Sequence, residues 1–221
     1  ASGFIGHHIF ERLSKRKELD VIGTYHSNRY GRCRPSANPN LVRADLTDKK
    51  NISGLTKGMD LIIQAAAATS GIKDTIERPH LQITDNILMN PLIFESAHEN
   101  NVKQVIWFSS SIVYPPHAGR PLTETEVDPH ALSLKHFGAA WTKLYLEKLA
   151  EFYAKLGRTK YTVIRPANIY GPNDRFDLER SHVLAAIVTK ILTAKDEKFT
   201  LWGNGSEEKD LLHVSDLVDL V

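Results

Sequence analysis

The chain has 221 residues, of which 42% are hydrophobic and 24% are charged, and its formal net charge is +2. This composition excludes a disordered chain, and the even spread of Lys and Arg excludes the broad basic surface that duplex nucleic acid requires. The longest apolar stretch, residues 61–68, is interrupted by Gln64 and is much shorter than the ~20 residues that span a bilayer, so we predict no membrane segment. Cys33 is the single cysteine, which rules out an internal disulfide and favours a cytoplasmic setting.

Short β-branched runs alternate with amphipathic segments along the chain. The predicted helices cover residues 4–17, 51–56, 82–101 and 136–156, and the predicted strands cover residues 20–25, 40–44, 61–65, 104–109 and 160–165. A further helical pattern begins near Ser215. The alternation predicts an α/β fold with a doubly wound parallel sheet of the Rossmann type, in which ligands bind beyond the carboxyl ends of the strands.

Two glycines open the first predicted helix. Gly3 and Gly6 flank Phe4 and Ile5, and this spacing lets the backbone approach a pyrophosphate at the helix N-terminus, where free N–H groups point outward. The alternative is that the glycines only form a tight turn. Because no strand precedes this strand-to-helix turn, and because the chain stops within a helical pattern, we expect further residues at both ends, including a first strand.

The next strand ends complete a predicted cofactor groove. Arg29 and Arg32 follow the strand over 20–25. No acidic residue that could bind a free ribose 2′-hydroxyl ends this strand, so NADP(H) is favoured over NAD(H). Solvated loop arginines are the alternative. Asp45 and Leu46 follow the strand over 40–44, where a carboxylate can accept a hydrogen bond from the adenine amino group. The small side chains of residues 65–68 let a dinucleotide lie close to the backbone.

A hydroxyl and an ammonium follow in positions suited to carbonyl chemistry. Ser110 and Ser111 directly follow the strand over 104–109, where a hydroxyl can hydrogen-bond a sugar oxygen. Lys143 stands four residues after Ala139 on a predicted helix, so these two positions share one helix face.

Four motifs together resemble the extended short-chain dehydrogenase/reductases, the NAD-dependent epimerase/dehydratase group. They are the glycine turn, the run over 109–114, the helix segment over 141–144 and the run over 165–172. The resemblance covers essentially the whole chain, and residues 168–177 and 181–183 are most similar to the GDP-L-fucose synthases. That family epimerises C3 and C5 of GDP-4-keto-6-deoxy-mannose and then reduces C4 with NADPH.

The resemblance implies roles for the matching residues. Ser110 matches the serine that contacts the C4 oxygen, Lys143 the lysine that holds the cofactor ribose and lowers the pKa of a tyrosine, and His182 the epimerisation acid. The predicted cofactor-binding residues are Gly3, Phe4, Ile5, Gly6, Arg29, Asp45, Leu46, Ala65, Ala66, Ala67, Lys143, Pro166, Asn168, Ile169 and His182. The predicted substrate-binding residues are Ser110, Ser111, Asn168, Lys190, Trp202 and Lys209, and we predict no metal site.

Two residues depart from the family pattern. Ile112 stands where the family has its epimerisation cysteine, and an isoleucine cannot carry a proton, which puts the double epimerisation in doubt. Ala139 stands where the family has its catalytic tyrosine, the proton donor to the nascent alkoxide, and losing a positioned acid costs roughly 10²–10⁴ in rate. The alanine is either an engineered replacement that traps substrate or the residue of a natural protein without efficient turnover. The intact Ser110 and Lys143 favour the first explanation.

Three functions remain as hypotheses. The first is an NADP-dependent nucleotide-sugar epimerase/reductase that is inactivated by Ala139. The second is a nucleotide-sugar 4-epimerase or 4-ketoreductase, which needs no acid at Ile112 or His182. The third is a nucleotide-binding protein that has lost catalysis.

The resemblance also implies a domain division and an assembly. We predict a nucleotide-binding domain over 1–165, followed over 166–221 by the beginning of a nucleotide-sugar-binding lobe and a return to the core. We further predict a homodimer in which the helices over 82–101 and 136–156 form a four-helix interface.

Overall fold

The structure is a computed structural model that describes residues 1–26, 38–69, 77–116, 120–178, 181–194, 198–201, 203–206 and 208–221. The helices in these ranges are α1 (Phe4–Leu13), α2 (Lys49–Thr56), α3 (Thr84–Glu99), α4 (Phe137–Lys155), α5 (Val183–Thr193) and α6 (Val214–Leu220). The strands are β1 (Gly23–Tyr25), β2 (Leu41–Arg43), β3 (Leu61–Gln64), β4 (Gln104–Phe108), β5 (Lys160–Ile164), β6 (Asn168–Tyr170) and β7 (Leu211–His213). Not one of these helices combines the length and the apolar character needed to cross a membrane.

Every strand pair among the described residues is parallel. β1 pairs with β2, β3 pairs with β4 and β4 with β5, and β6 pairs with β7. In the central sheet Ile106 of β4 lies opposite Ile63 of β3 and Thr162 of β5. These parallel pairs, with a helix between the two strands of each pair in the central sheet, confirm the predicted α/β class.

β4 is buried on both faces, as its unbroken apolar sequence requires. On one face Val105 and Trp107 join a buried cluster with α2, α3 and α4. The other buried members of this cluster are Ile52, Ile93, Phe94, Ala97, Val102, Leu146 and Ala150. On the opposite face Phe108 packs with Ile9 of α1 and Leu217 of α6. Helices therefore cover both sides of the central sheet, and its carboxyl end lies open between them.

The first and last helices of the chain pack together. Ile9 of α1 and Leu217 of α6 share the buried cluster under the sheet. On the surface the Nη2 atom of Arg12 lies 2.6 Å from Oδ1 of Asp219. This exposed ion pair adds little free energy, so the apolar contact is what holds the two helices together.

Several predicted boundaries differ from the structure. The helix predicted over 4–17 ends at Leu13, because residues 14–17 are polar and exposed and have no apolar side chain to bury. The strand predicted over 20–25 begins only at Gly23, and the helix predicted over 82–101 begins at Thr84 after the short 3-10 turn Pro79–Gln82. β6, α5 and β7 were not predicted.

Gly171 is the glycine on which the packing of β6 against α6 depends. Its φ is +152°, and a Cβ there would lie 2.6 Å from Cγ1 of Val214 and 3.2 Å from Nε2 of His213. Val214 is buried, so the clash cannot be relieved by moving a side chain into solvent. Gly171→Ala should therefore reduce the free energy of unfolding by about 2–4 kcal/mol, measured by urea denaturation.

The control for this prediction is Gly54→Ala. Gly54 lies inside α2, and a Cβ there would meet nothing within 4 Å. Alanine has the better helix propensity, so this variant should gain about 0.5–1 kcal/mol. Equal effects of the two alanines would contradict the assignment of Gly171 as a close-approach position.

Candidate active site

Lys143 is fixed above the carboxyl end of β4. Its Nζ atom donates a hydrogen bond of 2.7 Å to the carbonyl oxygen of Phe108 and lies 4.7 Å from the centroid of the Trp107 ring. Burial lowers the pKa of this lysine to about 8, and the negative charge of Glu147 opposes that shift. The ammonium is thus held at the end of β4, just before the three serines at 109–111.

Ser110 begins the turn that leaves β4. Its Oγ atom accepts a hydrogen bond of 3.3 Å from the backbone N–H of Ile112 and so caps the 3-10 turn Ser111–Val113. The N–H of Ser111 donates to the carbonyl of Pro166 at 3.1 Å, which joins the ends of β4 and β5. The structure therefore brings Ser110, Ser111 and Pro166 to the sheet edge where Lys143 lies.

Ala139 lies in the first turn of α4 and is half-buried. The helix places it one turn before Lys143 on the same face, as the spacing predicts. A methyl group at this position has no proton to give. The structure thus contains the serine and lysine positions of the predicted constellation, with an alanine at the third.

Ile112 packs into an apolar cluster beside the site. It contacts the group formed by Val113, Leu132, Ala140 and Leu144. At this position, where the resemblance implies a proton-carrying cysteine, the side chain serves packing between the turn after β4 and α4.

A mostly buried ion pair between Glu147 and Arg165 lies next to the site. Nη2 of Arg165 lies 2.7 Å from Oε2 of Glu147, and Nε of Arg165 donates to Oε1 of Glu147 at 3.0 Å; the two side chains are 19% and 10% exposed. Ser109 also donates its hydroxyl to Glu147. Glu147 lies one turn after Lys143 on α4, so one carboxylate ties this helix to the ends of β4 and β5.

Sequence reasoning missed this pair. Glu147 follows Lys143 at i+4 on the predicted helix and Arg165 ends a predicted strand, but no local pattern in the sequence joins the two. Nη1 of Arg165 also donates to the phenol oxygen of Tyr114 at 3.2 Å and to the carbonyl of Glu124 at 2.7 Å. The hydrogen bonds that Arg165 donates to Glu147 are the main cause that raises the pKa of Arg165.

The glycine turn meets the end of β3. A Cβ on Gly6 would lie 3.4 Å from Cα of Ala1 and 3.8 Å from Cβ of Ala65, so this first turn of α1 lies close to the strand end. Gly3 is the exposed N-cap of α1, with open space where a side chain would be. Ile5 packs into the core beneath the turn, and Phe4 lies edge-on against His8. The N-terminus of α1 and the end of β3 therefore lie side by side, where the sequence predicts the cofactor groove.

The wall of this groove is held by α3. Ala66 and Ala67 are exposed. The side-chain amide of Asn86 binds both the N–H and the carbonyl of Ala68, at 3.1 and 2.9 Å. Asn86 is buried, so this loop is anchored from within, which the sequence did not reveal.

Asp45 and Leu46 have local roles in the structure. Oδ1 of Asp45 accepts hydrogen bonds from the N–H and the hydroxyl of Thr47, at 2.9 and 2.7 Å, and these bonds hold the pKa of the carboxyl below its usual value. Oδ2 lies 4.0 Å from Nε2 of His26. Leu46 packs against the main core. The predicted residues Arg29, Arg32 and Trp202 lie outside the described residues.

A second cleft, with a volume of about 100 Å³, lies between β6 and α5. Its lining residues are Asn168, Ile169, Tyr170, Asp174, His182, Val183, Leu184, Ile187, Lys209 and Leu211. The exposed residues Asn168, His182 and Lys209, all predicted from the sequence, come together here. Lys190 of α5 donates to the carbonyl of Thr200 at 2.8 Å.

The cleft is electrostatically linked to the start of α4. Burial is the main cause that lowers the pKa of His136, and the positive charges of Lys135 and Lys209 lower it further. Lys209 lines the cleft, and His136 is the N-cap of α4, the helix that carries Ala139 and Lys143. The charge of Lys209 therefore acts on the residue at the start of this helix.

Comparison with known proteins agrees with this geometry. A family model described as "NAD dependent epimerase/dehydratase family" matches residues 1–221. The chain belongs to the NAD-dependent epimerase/dehydratase family. Among its curated relatives, GDP-L-fucose synthase 1 of Arabidopsis thaliana is 33% identical over 161 residues, covering 72% of this chain and 50% of the relative.

Two further proteins in this family context are informative. The dTDP-4-dehydro-6-deoxy-D-allose reductase of a Streptomyces species is 29% identical over 227 residues, covering 99% of this chain and 68% of the relative. The crystal structure of a GDP-L-fucose synthetase from Naegleria fowleri bound to NADP matches with a TM-score of 0.77 and 21% identity, covering 99% of this chain and 68% of that one. The last likeness shows the fold alone. The chain spans between 50% and 58% of the length of several GDP-L-fucose synthases that it matches.

Proposed function

We propose that this chain carries the cofactor and catalytic site of an NADP-dependent nucleotide-sugar epimerase/reductase acting on a 4-keto-6-deoxy hexose such as GDP-4-keto-6-deoxy-mannose, and that Ala139 impairs its turnover. The observation that supports this most directly is the position of Lys143, whose ammonium is bound to the Phe108 carbonyl beside Ser110. Relatives named as a GDP-L-fucose synthase and as a dTDP-4-dehydro-6-deoxy-D-allose reductase support the substrate class.

The groove between α1 and β3 fits a dinucleotide. The exposed Gly3 and the close approach of Gly6 to Ala65 leave backbone N–H groups at the N-terminus of α1 for a pyrophosphate. Ala66 and Ala67 are small and exposed along the same groove. When bound, the nicotinamide cofactor supplies the hydride. The preference for NADP over NAD rests on the sequence around Arg29.

The residues of this chain then act on the ketone. The hydroxyl of Ser110 donates a hydrogen bond to the C4 oxygen, and Lys143 places a positive charge near the oxygen as negative charge develops on it. Asn168, His182 and Lys209 bind the nucleotide sugar from the second cleft. With alanine at 139, the proton that completes the alcohol has to come from water rather than from a positioned phenol.

Ile112 and a relative named as a reductase favour a second candidate, a 4-ketoreductase or 4-epimerase without C3/C5 epimerisation. Ile112 contributes to packing and carries no exchangeable proton. The Streptomyces relative, which matches 99% of this chain, is named as a reductase. Under this alternative His182 has no role as an acid.

The test uses the whole protein with Ala139→Tyr. NADPH oxidation is followed with GDP-4-keto-6-deoxy-mannose and with a dTDP-4-keto-6-deoxy sugar, and binding of NADPH and NADH is compared by calorimetry. We expect turnover with one of the sugars and tighter binding of NADPH. The absence of turnover with any nucleotide sugar would overturn the proposal.

His182→Asn in the restored protein separates the two candidates. Loss of solvent-deuterium incorporation at C3 and C5, with reduction retained, supports the epimerase/reductase. If the restored protein reduces the ketone and never incorporates deuterium, with or without His182, the simple reductase is correct.

We also propose that two copies of the chain pair through α3 and α4. Large apolar side chains on both helices are exposed: Ile87, Leu88, Trp141, Tyr145 and Phe152. Contiguous apolar surface of this kind is typical of a subunit interface. Light scattering that finds a monomer would contradict the pairing.

A further inference from the structure

Trp107 lies directly beneath the ammonium of Lys143. The indole is 2% exposed, and its ring centroid is 4.7 Å from Nζ, within the range of a cation–π interaction. Lys143 is held from another direction by the Phe108 carbonyl. The ring and the carbonyl therefore act on the same ammonium from consecutive residues of β4.

The indole is itself oriented by a buried asparagine. Nε1 of Trp107 donates to Oδ1 of Asn90 at 2.9 Å, and Nε2 of Gln64 donates to the same oxygen at 3.1 Å. Asn90 is 1% exposed, and its Nδ2 donates to the carbonyl of Asn86 at 2.8 Å. Each hydrogen bond satisfies a polar group that would be costly to bury alone, so the ring has one favoured orientation.

The same hydrogen bonds reach the cofactor groove. Nε2 of Gln64 also donates to the carbonyl of Ala66 at 3.1 Å, and Asn86 holds the backbone of Ala68. A single buried set of side chains, Gln64, Asn86 and Asn90, thus links the groove wall to the ring under Lys143.

We propose that Trp107 is a positioning residue that keeps the Lys143 ammonium charged and aimed into the site, and that Asn90 fixes the ring for this role. The face of an indole carries negative potential, which stabilises the cation in a place where burial favours the neutral amine. Glu147, one turn away on α4, is the carboxylate whose charge acts on the same ammonium, and it is paired with Arg165. The inference rests on the proposed function only in that Lys143 works at this site.

The direction of one titration separates this role from plain packing. If the ring stabilises the cation, then removing it lowers the pKa of Lys143. If the ring only excludes water, then removing it admits water and raises the pKa. Competitive labelling of the whole protein with acetic anhydride over a range of pH, read out by mass spectrometry of the peptide that contains Lys143, measures that pKa without substrate or cofactor.

We expect Trp107→Leu to lower the pKa of Lys143 by about half to one unit, because cation–π interactions of this kind are worth about one pKa unit or somewhat less. Trp107→Phe retains a flat ring with a weaker field and should give a smaller fall in the same direction. This milder variant serves if the leucine variant does not fold. The matched control is Trp141→Leu, which removes an indole that is 40% exposed and packs edge-on against Phe137, and which should leave the pKa of Lys143 unchanged.

An unchanged or raised pKa in Trp107→Phe would overturn the inference. In a protein that also carries Ala139→Tyr, Trp107→Phe should lower kcat and leave the KM for the sugar unchanged. If no sugar is turned over, the proposed function fails, and the labelling experiment still decides the role of Trp107.

Discussion

Replacing Ala139 with tyrosine is expected to raise the rate of ketone reduction by roughly 10²–10⁴-fold, the usual contribution of a positioned general acid. The replacement puts a phenol one helical turn before Lys143, on the face of α4 that contacts the turn after β4. Ala139 is half-buried, so the larger side chain can extend towards the open sheet edge. The nearby ammonium stabilises the phenolate, which brings the pKa of the phenol closer to neutral pH.

Phenylalanine at the same position is the matched control. Ala139→Phe adds nearly the same volume and the same apolar surface without a proton to donate, so it should give no gain in rate. The measurement is the initial rate of NADPH oxidation under saturating nucleotide sugar, at several pH values. Equal rates for the tyrosine and phenylalanine variants would contradict the assignment of residue 139 as the position of the acid.

Glu147→Gln is expected to reduce the free energy of unfolding by about 3 kcal/mol. The change leaves the guanidinium of Arg165 mostly buried without its counter-charge, and removing one partner of a buried ion pair is strongly destabilising. The hydroxyl of Ser109 loses a charged acceptor as well. Urea denaturation measures this loss of unfolding free energy, provided that the variant and the unmodified protein have the same m-value.

Two comparisons make this prediction specific. Glu151→Gln, one turn further along α4, removes a carboxylate that is 45% exposed and paired with Lys148 and Lys155, and it should cost well under 1 kcal/mol. Replacing both Glu147 and Arg165 with apolar residues of similar volume should restore much of the stability, because no buried charge is left unpaired. Similar losses from the two glutamines would show that Glu147 has no special structural role.

The secondary structure could be predicted well from the sequence where the apolar patterns are long. The four residues of β4 that follow Gln104 form an unbroken apolar run, and the structure buries them on both faces. The prediction failed where the elements are short. β6 and β7 have three residues each, which are too few to show the alternation of apolar and polar residues that marks a strand. α5 was missed because its sequence is apolar around most of its circumference and lacks the polar stripe that marks an amphipathic helix.

Some residues of the candidate site could also be predicted from the sequence, and others could not. Ser110, Lys143 and Pro166 follow from motif spacing, because strand ends of a parallel sheet meet at one edge. The pairing of Trp107 with Asn90, and of Glu147 with Arg165, could not be predicted, since each joins residues on different elements through side chains whose orientation depends on the packed core. Local patterns specify where a strand ends, and tertiary packing decides which buried polar groups meet there.

The contact between α1 and α6 has a consequence for synthesis on the ribosome. The inner surface of α1, including Ile9, is covered in part by Leu217, more than 200 residues later in the chain. Until Leu217 has been synthesised, α1 therefore exists without this cover, and its apolar side is available to chaperones or to other nascent chains. Premature termination before Leu217 would release a polypeptide with that side still bare.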